Sequence, residues 1–252
     1  GVPMPMGYGS GIEDMAYHNG MLLWALVDAW EATGDEALAA WVGRVFQGLE
    51  GMARIARTPG FIPRGPHPDG VHYYADTSLD QISLYAAGLC ALYRSSLATP
   101  AWRQAIRGIV RDTLSLLARN GWRILREDGL SPAYVGGDMK ALRGQMPLTL
   151  LMLLRVGMEV AGDKAWAAAW AELATRERWQ AALAPAERGK PGRYTMFTNQ
   201  IGFRMRVLAS LPGDEARAPA LRRGLADMAR DMAESPFFRA FRSLDWLGGE
   251  AV

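Results

Sequence analysis

Four short segments punctuate this chain, and each lies between two stretches with helical periodicity. Three of them contain Gly followed by Asp, in "EATGDEAL", "VAGDKAW" and "SLPGDEA", and the fourth, "SSLATPAW", contains Pro100. Glycine commonly ends a helix, aspartate commonly caps the next one, and proline is favoured in the first helical turn. The pattern therefore predicts antiparallel helical hairpins in an all-α chain, with about four hairpins in total.

The predicted helices cover most of the chain, and the alternation typical of strands is scarce. In the first helix, for example, Met15, Leu22, Leu26 and Ala29 recur at helical steps and form an apolar stripe. The predicted helices are residues 12–33, 36–56, 77–96, 100–119, 141–161, 163–180, 197–211 and 216–234. A chain of 252 residues can bury a substantial core, so we expect one domain over residues 1–252.

Long links join each hairpin to the next, at about residues 57–76, 120–140 and 181–196. Consecutive antiparallel hairpins place the short turns at one end of the assembly and the long links at the other. Long irregular connections in a compact domain are usually functional or disordered. Because these links contain aromatic and specific polar residues rather than low-complexity sequence, we expect them to form a functional rim.

The hairpin pattern, together with "GYGSGIEDMAYHNGMLLWALVDAWEATGDEALAAW", "GFIPRG" and "YADTSLDQISLYAAGL", resembles the carbohydrate-active α/α toroids. That group includes polysaccharide lyases and hydrolases of unsaturated uronyl sugars. The resemblance covers most of the chain at the level of architecture, and it implies inner and outer helices around an axis with a cleft at one rim. A full toroid has six hairpins, so this one is expected to be open, to lack an upstream segment, or to be completed by a second copy of the chain.

Composition and charge exclude several classes of function. The formal net charge is +2 and no long block of like charge occurs, so nucleic acid is not an expected partner. No apolar run reaches the roughly 18 residues of a membrane span, which predicts a soluble chain with no membrane partner. The start, "GVPMPMGYGS", resembles a mature or trimmed end. It slightly favours the bacterial periplasm or secretion over the cytoplasm.

Metal and thiol chemistry have little support in the sequence. The three histidines, His18, His67 and His72, occur without paired cysteines or a helical His-x-x-x-His, so neither a metal nor another cofactor is expected. The single cysteine, Cys90, lies in the apolar run "SLYAAGLCALY" and is expected to be a small buried hydrophobe.

The first group of candidate site residues lies in "GIEDMAYHNG". Glu13 and Asp14 are expected in the first turn of a helix, where the helix dipole favours negative charge. Tyr17, His18 and Asn19 follow about one turn later. Histidine and asparagine have poor helix propensity, so they are expected either to form hydrogen bonds in the core or to line a cleft.

The second group lies in the link "GFIPRGPHPDGVHYYADTSLDQ". Arg64 is flanked by a proline and a glycine that stiffen its backbone, a suitable setting for an arginine that binds a carboxylate. Side chains alternate in an extended segment, so His72 and Tyr74 should share one side and Tyr73 the other. His72 and Tyr73 are candidates for proton transfer or sugar binding, and aromatic packing is the alternative for the tyrosines.

The end of this link precedes a predicted helix, which gives its polar residues two interpretations. Thr77 and Asp80 fit a capping box, and Asp76 could instead be the cap. Asp76 and Asp80 are also candidates for contact with substrate, and Gln81 could reach the same rim. Tyr17 of the first group is also predicted to bind substrate. The hairpin pattern places the remaining predicted substrate-binding residues on the same rim: Tyr134, Arg193, Tyr194 and Asn199.

Two enzymatic chemistries fit these candidates. A lyase that cleaves a uronic-acid-containing glycan by β-elimination needs a group that neutralises the substrate carboxylate, a base for the C5 proton and an acid for the leaving oxygen. The resemblance to toroidal lyases implies Asn19 with Arg64 as neutralisers, His72 or Tyr73 as base and acid, and His18 as a second candidate base. A glycoside hydrolase would instead use paired carboxylates.

For hydrolysis, Asp76 and Asp80, or Asp14, would act as acid and base. A third alternative is a noncatalytic sugar-binding or scaffold protein, and an isomerase or epimerase ranks lower. In the noncatalytic case the important residues would be aromatic: Trp24, Trp122 and Tyr134. The lyase is favoured by a small margin, because the best carboxylates also have a helix-capping explanation.

Overall fold

A computed structural model of the chain describes residues 1–4, 13–184, 196–213 and 215–234. These residues are mostly helical, which confirms the predicted all-α class. Two short strands, β1 and β2, pair in parallel with Val2 opposite His72. The elements are β1 (Val2–Met4), α1 (Met15–Thr33), α2 (Glu36–Ile55), β2 (His72–Tyr74), α3 (Leu79–Arg94), α4 (Pro100–Arg119), α5 (Met146–Val156), a π-helical turn (Gly157–Ala161), α6 (Lys164–Leu173), α7 (Arg176–Ala182), α8 (Met196–Ser210) and α9 (Ala218–Glu234).

The short turns have the predicted chemistry. Gly34 and Gly162 end their helices in the left-handed conformation, with φ of 67° and 66°. Asp35 and Asp163 then cap α2 and α6, because each side chain accepts a hydrogen bond from the backbone N–H two residues later. Thr99 caps α4 in the same way, directly before the proline that opens the helix.

Two of the predicted helices differ from the observed ones. The helix predicted over 163–180 is broken into α6 and α7, because Thr175 accepts a hydrogen bond from Arg178 N and starts a new helix. The helix predicted over 141–161 begins only at Met146 and ends in the π-helical turn. The residues before it form a turn in which Asp138 accepts a hydrogen bond from Lys140 N.

The first helices of the hairpins pack against one another. Helix α3 packs against α1, α5 and α8, and α5 also packs against α8. Helices α2, α6 and α9 pack against α1, α5 and α8 respectively. Side chains of α8 also reach α1, since the ring of Phe203 lies 5.4 Å from that of Trp24 and Arg206 forms an ion pair with Asp28 at 2.6 Å. The last hairpin therefore contacts the first.

Glycines bring α1 and α3 into direct backbone contact. A Cβ at Gly88 would lie 2.2 Å from the carbonyl oxygen of Gly20, and a Cβ at Gly20 would lie 2.3 Å from that of Leu84. Atoms cannot approach so closely, so only glycine fits at either position. This contact fixes the relative position of the two helices that contribute most to the candidate site.

The predicted separation of short turns and long links is observed in the described residues. At one end, Glu31 in the last turn of α1 accepts a hydrogen bond from Ser95 Oγ at 2.7 Å, and Arg94 donates to Ser210 O at 2.9 Å. At the other end the first two long links meet, with Thr58 N donating to Glu127 Oε1 at 2.8 Å. Most of the third link lies outside the described residues.

None of the helices in the described residues combines the length and apolar character that a membrane span requires.

Candidate functional site

Asp14 lies at the N-terminal end of α1, where the first helix meets the first long link. It occupies the N-cap position, but its side chain caps no backbone N–H, and the first turn of α1 contains no acidic residue. Its Oδ1 instead accepts hydrogen bonds from Arg64 Nη1 at 2.9 Å and Gln81 Nε2 at 2.8 Å. Within the described part of the chain Oδ2 has no hydrogen-bond partner. The predicted position of Glu13 and Asp14 inside the first turn is therefore wrong, because α1 begins only at Met15.

The two donors to Asp14 are rigidly held. Arg64 is 1% exposed, and its Nη1 also donates to Glu13 O at 3.1 Å. Its backbone oxygen accepts from Met15 N, which fixes the link against the start of α1. Gln81 is fully buried, and its Oε1 accepts from Tyr17 N at 3.0 Å. Both donors are thus oriented by backbone contacts from another element.

Asp80 lies in the first turn of α3, next to the same group. Its Oδ1 accepts from Ser78 Oγ and from Gln81 N at 3.1 Å, and its Oδ2 accepts from Gln200 Nε2 of α8 at 3.3 Å. The cap of α3 is Ser78, whose side chain accepts from Gln81 N. The predicted Thr77–Asp80 capping box and the alternative Asp76 cap are therefore wrong, because the helix begins later than expected.

The surroundings of Asp14 favour its protonated form. Burial raises the pKa of the Asp14 carboxyl above its ordinary value, and the negative charges of Asp80 and Glu13 raise it further. The Arg64 guanidinium and His18 act in the opposite direction but do not outweigh burial. Burial and the two aspartates likewise raise the pKa of Tyr17 to about 12. The site thus contains a carboxylic acid that keeps its proton to a higher pH than usual, beside a second carboxylate.

Three more of the predicted residues lie on α1 and α8, two of the helices that contact this pair. His18 is exposed, and its ring lies 3.9 Å from that of Tyr17. Asn19 is partly buried, and its amide donates to Met15 O one turn earlier at 2.8 Å, which is a local role. Asn199 lies directly before Gln200, at the start of a groove of about 190 Å³ between α8 and α9.

His72 is partly exposed, whereas Tyr73 and Tyr74 after it are both buried, so the burial of the three residues does not follow the predicted alternation. His72 Nδ1 lies 2.6 Å from Asp69 Oδ2, and His67 Nδ1 lies 3.1 Å from the same oxygen. Backbone hydrogen bonds from His72 and Val71, together with the His72 ring, hold the pKa of Asp69 well below its ordinary value. Among the described residues, no group of three or more His, Cys, Asp and Glu side chains is arranged to hold a metal ion.

Tyr73 is fully buried and connects two links. Its hydroxyl donates to Glu127 Oε2 and accepts from Arg57 N at 3.4 Å. Burial, with the hydrogen bond to Glu127, raises the pKa of Tyr73 to about 12. The phenol therefore stays protonated at neutral pH, and its observed contacts are those of a structural tie between the first and second links.

Asp76 is a second tie between the same two links. It is 3% exposed, and its carboxylate accepts from Thr77 N at 2.8 Å and from Tyr134 N at 3.3 Å. Arg126 lies 3.6 Å from its Oδ2. Tyr134 itself is 65% exposed. The remaining predicted site residues, Arg193 and Tyr194, lie outside the described residues.

One buried charge of the site has no counterpart in the sequence-based predictions. Arg204 of α8 is fully buried and donates to Ser83 Oγ from Nε at 3.0 Å and from Nη2 at 2.8 Å. Its Nη1 donates to Gln145 Oε1. The signal was available in "NQIGFR", where Gln200 and Arg204 are four residues apart in a largely apolar helix.

No protein-family model, curated protein or solved structure matches this chain.

Proposed function

We propose that this chain is a carbohydrate-active enzyme that hydrolyses a glycosidic bond, with Asp14 and Asp80 as its paired carboxylates. One observation carries the proposal: Asp14 has a raised pKa, lies beside a second carboxylate, and serves no capping function. Pairs of carboxyl groups whose environments differ in this way divide the roles of acid and base between them. Glycoside hydrolysis is the reaction class that uses such a pair.

Asp14 has the geometry of the general acid. Two buried donors, Arg64 and Gln81, occupy Oδ1, so the proton of the neutral carboxyl belongs on Oδ2. The Asp14 side chain is 29% exposed, and in this proposal Oδ2 would face the substrate. The acid would protonate the leaving glycosidic oxygen as the bond to the sugar breaks.

Asp80 is suited to the role of base or nucleophile. Ser78, Gln81 and Gln200 all donate hydrogen bonds to its carboxylate, which orients it from both α3 and α8. In the inverting reaction this carboxylate would take a proton from the attacking water, and in the retaining reaction it would bond to the anomeric carbon. The stereochemistry of the product distinguishes the two.

The arrangement of the helices supports an α/α toroid of four hairpins as the setting. We propose that the inner helices α1, α3, α5 and α8 form a ring that closes through the Trp24–Phe203 and Asp28–Arg206 contacts. Their N-terminal ends, with the long links, would then surround the carboxylate pair. His18 and Asn199 would contact substrate at this rim, with the groove beside Asn199 accepting a neighbouring part of it.

Elimination from a uronic-acid glycan is a second candidate, favoured by a different observation. His18 is exposed beside Tyr17, which is the arrangement of a base next to a phenol that stays protonated at neutral pH. Arg64, the predicted neutraliser, is engaged with Asp14 and buried. The lyase would therefore lack its arginine neutraliser at the rim, whereas both carboxylates of the hydrolase are in place.

Product analysis separates the two chemistries. The protein is incubated with a panel of neutral and uronate-containing glycans, and new reducing ends and the ultraviolet absorbance of unsaturated uronyl products are followed together. Hydrolysis predicts reducing ends without absorbance, lost in Asp14→Asn. A rise in absorbance that is lost in His18→Ala would replace hydrolysis with elimination, and neither product on any glycan would support a noncatalytic role.

A further inference from the structure

Arg204 brings a full positive charge into the interior beside the carboxylate pair. It is 0% exposed, and its hydrogen bonds go to two neutral groups, the hydroxyl of Ser83 and the amide oxygen of Gln145. Burial of a guanidinium is costly unless an opposite charge compensates it. These neutral acceptors bind each of its three nitrogens once but do not compensate its charge.

The position of the guanidinium increases this cost. Ser83 lies near the start of α3, and Gln145 occupies the N-cap position of α5. The N-terminal ends of helices carry partial positive charge and favour anions. Arg204 is thus a cation placed where two helices disfavour one.

Asp80 is the acidic residue whose charge acts on Arg204, and no direct ion pair joins the two side chains within the described residues. Gln200 and Arg204 lie one turn apart on α8, and they face Asp80 and Ser83, which lie about one turn apart on α3. Burial lowers the pKa of Arg204 to about 10, and the charge of Asp80 opposes that shift. Two residues of α8 therefore contact two residues of α3. Gln200 binds one oxygen of Asp80, and Arg204 binds Ser83 one turn further along.

We propose that Arg204 is a positioning residue, the buried counter-charge that holds the Asp80 carboxylate beside Asp14. Its catalytic meaning rests on the proposed hydrolase function, whereas the pairing of Arg204 with Asp80 does not. Arg204 touches neither substrate nor the reacting atoms in this account. It acts through the charge and orientation of Asp80.

Arg178 provides a matched control, because it is a buried arginine with a structural role. It is 6% exposed, and its N–H groups donate to the backbone oxygens of Leu173, Met139 and Lys140 at 2.8 to 3.0 Å. Those carbonyls tie α6 and α7 to the second long link. Loss of Arg178 should reduce stability without changing the carboxylate pair.

The test is a titration of the aspartate carboxyl groups by carbon-13 NMR in the intact chain, compared among wild type, Arg204→Gln, Arg204→Lys and Arg178→Gln. Removal of a nearby positive charge should move the titration midpoint of Asp80 upward relative to wild type. Arg204→Lys keeps the charge and should return most of the shift, and Arg178→Gln should leave the midpoint unchanged. An unchanged midpoint in Arg204→Gln, or an equal shift in Arg178→Gln, overturns the proposal.

If Arg204→Gln does not fold, the pair can be tested from its other side. In Asp80→Asn the pKa of Arg204, followed through the guanidinium carbon, should fall relative to wild type because the opposing charge is gone, and an unchanged pKa overturns the pairing. Glycan assays on the same variants separate the two proposals. A shifted Asp80 midpoint in a protein that cleaves no glycan refutes the hydrolase while the pairing stands, and an unchanged midpoint in an active hydrolase refutes the pairing alone.

Discussion

Replacement of Tyr73 by phenylalanine separates a structural tyrosine from a catalytic one. The substitution removes only the buried hydroxyl that donates to Glu127 Oε2, and it leaves the ring to fill the same space. A hydrogen bond to a charged group contributes about 1.5 to 3 kcal/mol. Glu127 is half-buried and keeps its bond from Thr58 N, so water can replace part of the loss. We therefore expect Tyr73→Phe to reduce the free energy of unfolding by about 1.5 kcal/mol.

For a chain of this size the loss corresponds to a fall in Tm of about 3 to 6 °C. The assay is urea unfolding followed by circular dichroism, in which the midpoint should fall with an unchanged slope. A double-mutant cycle with Glu127→Gln is the control, since the cost of removing the hydroxyl should shrink when its partner is neutral. A Tyr73→Phe protein of unchanged stability that has lost all activity on a cleaved glycan would refute the structural role and restore Tyr73 as an acid.

The close contact of α1 and α3 predicts that Gly88→Ala lowers the free energy of unfolding by roughly 2 to 3 kcal/mol, whereas Gly48→Ala, on an open face of α2, raises it by about 0.5 to 1 kcal/mol. Equal effects in thermal unfolding would contradict the packing argument. The pKa of Asp69 lies below its ordinary value of 3.8. The stability that its carboxylate gives the turn should therefore be fully present above pH 3.8 and be lost only as pH falls through the lower pKa of the folded state. Hydrogen exchange of the Val71 amide checks this, and loss of its protection already at the ordinary value would be contrary evidence. His18 lowers the pKa of Asp14, so His18→Ala should move the alkaline limb of a pH–rate profile to higher pH, and movement to lower pH would contradict the acid role.

Local chemistry made the hairpins predictable from sequence. The helix predicted over 100–119 is observed with those bounds, because Thr99 and Pro100 define its start without help from the rest of the chain. The break before α7 was missed because apolar residues continue at helical spacing through Trp166, Trp170 and Leu173, which hides the cap at Thr175. Periodicity thus identified the helical class more reliably than the individual helix ends.

The start of α3 shows why the cap could not be chosen from sequence. Asp76, Thr77 and Ser78 are three consecutive residues that can each cap a helix. Asp76 instead accepts a hydrogen bond from Tyr134 N of the second link, and Ser78 caps the helix. The choice depends on a contact with a residue 58 positions away, which local propensity does not contain.

The sequence drew attention to several residues of this cluster but did not predict how they pair. Arg64 was expected to bind a carboxylate, and the carboxylate it binds in the structure is Asp14, 50 residues away. Gln81 reaches the same oxygen across 67 residues. Such pairs follow from the packing of α1 against α3. The observed cap at Ser78 removes the capping explanation for Asp76 and Asp80 that had favoured elimination over hydrolysis.

The most direct test of the account is the rate of glycosidic cleavage in Asp14→Asn, measured as release of reducing ends from a glycan that the wild-type protein cleaves. Loss of a general acid should reduce kcat by about 10²- to 10⁴-fold, while Asp163→Asn, which alters only the cap of α6, should retain wild-type kcat. Asp14→Asn with the circular dichroism spectrum of wild type and kcat within about tenfold of it would contradict the assignment of Asp14 as the acid.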